Sequence, residues 1–132
     1  MAVIYMNLID TNIFLEIILG QEMEEKCKIF LKDNSGALFI SDFSVHSIGV
    51  VLFRYNMEEG FQKFLEEIYP YLNVLTLGDN GYQKLKNLKD QFGLDFDDAY
   101  QFSVAKEFGL RIITMDKDFK SVENEIEINF LA

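Results

Sequence analysis

The chain is poor in the residues that pin a fold or a chemistry by themselves: it has one cysteine, one proline and one histidine, and only 12 lysines and arginines against 22 aspartates and glutamates. A single cysteine, Cys27, excludes an internal disulfide and suits a reducing compartment. It falls on the apolar side of a predicted helix in an acid-rich segment, which raises a thiol's pKa, so it reads as a packing residue rather than a nucleophile. The lone histidine, His46, has no second imidazole with which to complete a transition-metal set, and reads as a hydrogen-bonded structural residue. The net charge of −10 excludes broad contact with a phosphate backbone, because counterion release needs Lys and Arg along the interface. It leaves a nucleic-acid substrate open, since carboxylates that hold a divalent cation are neutralised by it. No apolar run approaches the roughly 18 residues of a membrane span. No basic segment precedes an apolar one near the start, so neither insertion nor export is expected and a cytoplasmic protein is. Linkers, repeats and low-complexity tracts are also missing, which leaves one domain over residues 1–132.

What the chain does have is apolar mass: 49% of its residues, with 13 phenylalanines, enough for a packed core without disulfides. Strands are expected at 3–9, 37–41, 74–77, 110–114 and 126–131. Between them, Thr11-Asn12 caps a short helix ended by Gly20, and residues 22–32 place Met23, Cys27, Phe30 and Leu31 on one helical face. Asp42 or Ser44 caps a helix running to Phe53. Residues 60–68 form an amphipathic helix stopped near Pro70. Gly78-Asp79 opens a helix with Tyr82, Leu85 and Leu88 inward. Asp97 caps a last helix, 99–108, which Gly109 closes. Short strands alternating with helices predict a three-layer α/β/α sandwich around a mainly parallel sheet of four to five strands.

Two apolar strands end directly on acids, Asp10 and Asp116, and Asp98 opens the helix before the fourth strand. In an open parallel sheet all three positions lie at the carboxyl edge, where ligands collect. Clustered carboxylates cannot all stay ionised without a counter-charge. An imidazole-free oxygen set suits Mg²⁺ or Mn²⁺, and the chemistry natural to such a site is phosphodiester hydrolysis. Taken singly, each acid is more often a cap or turn residue than a catalytic one; three at matched places reverse that balance and point to a site. Asp97 is read as a cap, Asp95 as a turn residue and Asp118 as an outer ligand.

Leu8-Ile9-Asp10-Thr11-Asn12, Asp98-Ala99 at a helix start, and Ile112-Ile113-Thr114-Met115-Asp116-Lys117-Asp118-Phe119 resemble the PIN domain, the nuclease fold of many VapC-type toxins, over almost the whole chain. The resemblance implies a Mg²⁺- or Mn²⁺-dependent endoribonuclease acting on RNA, often a homodimer, with a cognate antitoxin in toxin members. It assigns catalysis and metal binding to Asp10, Asp98 and Asp116, an additional metal-binding acid to Asp118, and supporting roles to Asn12 and Thr114. The family usually places a Glu six residues beyond the Ser or Thr that ends the second strand; counted from Ser41, that position is Ser47, a supporting hydroxyl that can hold a metal-bound water but supplies no charge, with Asp42 as a substitute from the strand end. A second class therefore stands beside the nuclease: a PIN-like domain of reduced catalysis serving as a binding or regulatory module. A phosphoacceptor receiver domain fits less well, since it calls for an early acid pair and a Lys after the last strand. The Phe- and Tyr-rich helices between 53 and 71 serve equally as core or as a dimer face.

Overall fold

The computed structural model describes residues 5–131. In chain order the elements are β1 (Asn7–Ile9), α1 (Thr11–Ile18), α2 (Glu24–Asp33), β2 (Leu38–Ser41), α3 (Asp42–Arg54), α4 (Glu58–Glu67), β3 (Asn73–Leu75), α5 (Asp79–Phe92), α6 (Phe96–Phe108), β4 (Arg111–Thr114) and β5 (Ile128–Phe130). Short 3₁₀ helices at Tyr69–Tyr71, which contains Pro70, and at Lys117–Val122 complete the connections. The five strands form one sheet in the order β3-β2-β1-β4-β5, and every pairing is parallel.

That order places the functional edge. From β1 the chain steps outward through β2 to β3, then returns to the other side of β1 to lay down β4 and β5. The direction of travel reverses between β1 and β4, and at such a switch point the loops leaving the carboxyl ends diverge and open a crevice. Because parallel crossovers keep one hand, the reversal also divides the helices. One core layer joins Leu8 and Ile112 to Leu85 of α5 and Phe102 of α6. The other joins Ile9 and Ile113 to Phe14 of α1, Cys27 of α2, Leu52 of α3 and Phe64 of α4. Adjacent residues of β1 and β4 thus feed opposite layers, as the twofold period of a strand requires.

Asn7 interrupts an apolar strand, yet it is fully buried. Its Oδ1 accepts from Arg111 Nε at 3.0 Å and Nη2 at 2.8 Å, and its Nδ2 donates to Ala37 O at 3.1 Å. The Arg111 guanidinium lies 4.0 Å from the Tyr5 ring centroid. A polar residue here clamps three strands at their amino ends.

Several boundaries move for one physical reason: the last polar residue of a strand or loop itself caps the next helix. Asp10, rather than Thr11-Asn12, caps α1 through its bond from Thr11 N. Ser41, rather than Asp42 or Ser44, caps α3 by accepting from Ser44 N. Asp95, rather than Asp97, caps α6 by accepting from Asp98 N, so Asp97 lies in the first turn. Gly109 closes α6 in the left-handed region at φ 66°, a conformation that favours glycine. Tyr82 is half exposed rather than inward. Of the expected first strand, Val3 and Ile4 lie outside the described residues. Cys27 is fully buried and burial raises its thiol, in keeping with a packing role.

Candidate metal centre

Asp10 leaves the end of β1 with its backbone N–H bonded to Ile113 O at 2.9 Å, which fixes the carboxylate at the crevice between β1 and β4. The side chain is 8% exposed. Oδ1 accepts from Thr11 N at 2.8 Å and from Gln101 Nε2 at 3.3 Å, while Oδ2 accepts from the Thr114 hydroxyl at 2.6 Å. Burial pushes its pKa up, and the bonds from Thr114, Gln101 and Thr11 pull against that rise. Three of roughly four lone-pair sites on the carboxylate are taken, so Oδ2 retains one towards the crevice.

Thr114, the fully buried last residue of β4, binds both neighbouring acids: its Oγ1 also accepts from Asp116 N at 2.9 Å. Asp116 Oδ1 in turn accepts from Asp118 N at 2.9 Å and so starts the 3₁₀ helix. From the opposite wall, Asp98 enters in the first turn of α6, its backbone N–H bonded to Asp95 Oδ1 at 3.0 Å. Asp98, Asp116 and Asp118 each bring one carboxylate oxygen within 4.8 Å of the others. Asp98 carries the electrostatic consequence. Burial first, then the charges of Asp95, Asp116, Asp10 and Asp118, push its carboxyl up to about 8.

Asp10 at the end of β1, Asn12 of α1, Ser47 of α3, Asp98 and Gln101 of α6, and Asp116 line one cleft of about 250 Å³. Asn12 Oδ1 is buried and accepts no hydrogen bond among the described residues. A hard divalent cation fits this arrangement on two observations. The donors are all oxygen, and burial together with the neighbouring carboxylates, which have no counter-charge beside them among the described cleft residues, raises Asp98. The unpartnered Oδ1 of Asn12, a residue of the same cleft, is a further acceptor of the kind that suits a water.

Beneath the cleft lies a buried network that sequence reasoning did not find. Gln101 donates to Ser44 Oγ at 2.8 Å and accepts from Ser41 Oγ at 2.7 Å, while the Thr11 hydroxyl donates to Ser44 Oγ at 2.8 Å. The end of β2 and helices α1, α3 and α6 are thereby tied together under Asp10. The signal for Gln101 was its spacing: three residues after Asp98 on a helix, it shares that acid's face.

The remaining expectations divide. Ser47 does face the cleft. Asp42 does not substitute for an acid there, because its Oδ1 accepts from Tyr100 Oη at 2.6 Å and from its neighbour Phe43 N at 2.8 Å. His46 is exposed and lines a separate shallow depression with Val45, Val50 and Phe53. Among the described residues no helix is long and apolar enough to cross a membrane.

The model of the PIN domain family matches residues 8–125 of the sequence. No curated protein matches it. Among solved structures, the chain is similar to a toxin–antitoxin complex from Klebsiella pneumoniae, at 23% identity over 86% of this chain and 89% of that one, with a TM-score of 0.70. It is similar to VapC20 of Mycobacterium tuberculosis, described as a sarcin–ricin loop cleaving toxin, at 15% identity over 88% and 94%, TM-score 0.73. It is similar also to the DNA-bound VapBC of Salmonella typhimurium, at 16% identity over 96% and 98%, TM-score 0.78. At such identities the likeness is one of fold.

Proposed function

Because the chain belongs to the PIN domain family, we propose that it is a Mg²⁺- or Mn²⁺-dependent endoribonuclease that hydrolyses RNA phosphodiester bonds as the toxin of a toxin–antitoxin pair. The observation that carries this reading is the delivery of Asp10, Asp98 and Asp116 from three separate elements into one cleft, where burial and then the neighbouring acids raise Asp98 to about 8.

Asp98, Asp116 and Asp118 would hold the cation, with Asp10 contributing the free lone pair of Oδ2. A cation bound there supplies Lewis acidity, lowering the pKa of a water and neutralising charge on a phosphate oxygen. The chain's own part is positional. Thr114 holds Asp10 and Asp116 in fixed relation, Gln101 keeps Asp10 oriented, and Asn12 Oδ1 offers an acceptor for a water proton. The toxin and antitoxin assignments draw support from the described structures of the same fold. A homodimer and a cytoplasmic location belong to the same reading, with exposed Phe53 and Tyr55 near the end of α3 as candidates for the dimer face.

Ser47 favours a second reading, a PIN domain of reduced catalysis that binds RNA or protein. It stands in the cleft at the position where the family resemblance calls for a Glu. Incubation of the purified protein with single-stranded RNA and Mn²⁺, beside Asp10→Asn and Asp116→Asn, separates the two. Cleavage by the parent and none by the variants is expected. Cleavage absent at every metal concentration while calorimetry still registers Mn²⁺ binding moves the protein to the second reading, and cleavage that persists in both variants overturns the assignment of catalysis to these acids.

A further inference from the structure

A wall of aromatic rings rises from the core to solvent at the mouth of the acid cleft. Its base is Tyr100, 1% exposed, whose hydroxyl donates to Asp42 Oδ1 at 2.6 Å and accepts from Leu77 N at 3.1 Å. Phe43 comes next, with its ring centroid 5.3 Å from that of Tyr100. Phe96 completes the wall, 6.0 Å from Phe43 and 6.4 Å from Tyr100, and is 53% exposed. Phe43 belongs to both features, since it also lines the cleft with Asp98 and Ser47. Phe96 directly precedes Asp97 and Asp98 at the start of α6.

The charge around the cleft narrows what this wall can receive. Among the described residues no Lys or Arg lines the cleft, and four aspartates do. Attraction for successive backbone phosphates is therefore lacking where the substrate must enter, although the proposed reaction needs a nucleotide held beside the acids. Stacking of an unpaired base on an aromatic side chain needs no cationic residue and accepts any base. It requires the base face to be free, which excludes a continuous duplex. The bond between Tyr100 and Asp42 fixes the base of the wall, against which the rings of Phe43 and Phe96 pack, and a preformed base lowers the ordering cost of binding.

We propose that Phe96 and Phe43 form a stacking platform for one unpaired nucleobase of single-stranded RNA, seated next to the phosphate that the acid cleft receives. This rests on the ribonuclease reading for the identity of the ligand, but it concerns binding and is tested without cleavage.

The protein has no tryptophan, so Phe96→Trp places a single indole reporter on the platform while keeping an aromatic face. A short 2′-O-methyl single-stranded oligoribonucleotide, which resists hydrolysis, is titrated against this variant, the parent and Phe96→Ala, followed by indole emission and by anisotropy of a fluorescent end label. The expected results are quenching of the indole on binding, parent-like affinity for Phe96→Trp, and an affinity about tenfold weaker for Phe96→Ala, the order of one base–aromatic stack. An abasic oligonucleotide with the same backbone should bind weakly and leave the emission unchanged. Equal quenching by the abasic strand, parent-like affinity in Phe96→Ala, or no binding by the parent overturns the platform. So does an indole indifferent to RNA in a protein whose dimer dissociates on Phe96→Ala, which assigns the wall to self-association. Binding with the expected pattern in a protein that never cleaves RNA keeps the platform and removes only the nuclease.

Discussion

The Thr114 hydroxyl donates to Asp10 Oδ2 at 2.6 Å between residues 104 positions apart in sequence. The same oxygen accepts from Asp116 N at 2.9 Å, so one buried hydroxyl sets the spacing of two acids. Thr114→Val keeps the shape and removes both bonds, leaving a buried carboxylate oxygen and a backbone N–H short of partners. A loss of about 1–3 kcal/mol in urea unfolding is expected, together with weaker Mn²⁺ binding by calorimetry. Thr114→Ser should restore both. Recovery of stability by the Ser variant without recovery of ion affinity would limit Thr114 to a structural part.

The acid cluster ties stability to pH in an unusual direction. Asp98 rises from 3.8 to about 8 in the folded state, so between those values the native protein retains a proton that the unfolded chain releases. The contribution of this group is fully present below about pH 4 and is lost as pH climbs through 8. Without divalent ions, the parent should lose melting temperature relative to Asp98→Asn between pH 5 and pH 8. Saturating Mn²⁺ should stabilise the parent more at pH 8 than at pH 5, because protons and the cation compete for the same oxygens. Parallel melting profiles for parent and variant across the window would rule out a strained Asp98.

Ser47→Glu adds a carboxylate to the cleft wall. Cation affinity follows ligand charge, so Mn²⁺ binding is expected to tighten by about tenfold, and the metal-free melting temperature at pH 8 should fall. RNA cleavage rising with affinity would identify Ser47 as the residue that restrains the reaction. Unchanged affinity would place position 47 outside the cation's reach.

Gln101→Leu removes the hub of the buried network and strands Ser41 Oγ, Ser44 Oγ and Asp10 Oδ1 with fewer partners. A destabilisation of about 2–4 kcal/mol in denaturant unfolding is expected from such unpaired groups. A near-neutral result would show that the serines re-pair among themselves.

The sequence made the acids legible because each ends an apolar run or opens a helix, and a parallel sheet carries such positions to one edge. Strand order was hidden, because each strand is three or four residues long and nothing in its composition names a neighbour. The caps were misplaced by one to three residues where polar residues cluster, as at Asp10-Thr11 and Ser41-Asp42, since either can accept the first amide and only backbone geometry chooses. Gln101 escaped, and Ser44 was read only as a cap, because a lone polar residue among apolar ones resembles a surface or cap position until both are seen buried against each other. Asp42 looked like a free acid for the cleft; its bond to Tyr100, 58 residues away, could not be read locally.

The placement of β4 between β1 and β5 bears on when the cleft can exist at all. A chain still emerging from the ribosome with β1 to α6 complete holds Asp10 and Asp98, yet neither Thr114 nor Asp116 has been made. Pairing β4 to β1 then closes a long sequence separation, a slow kind of step in a parallel sheet. Assembly of the acids is thus a late event of biosynthesis, and the nascent polypeptide remains without its cleft until its fourth strand is seated.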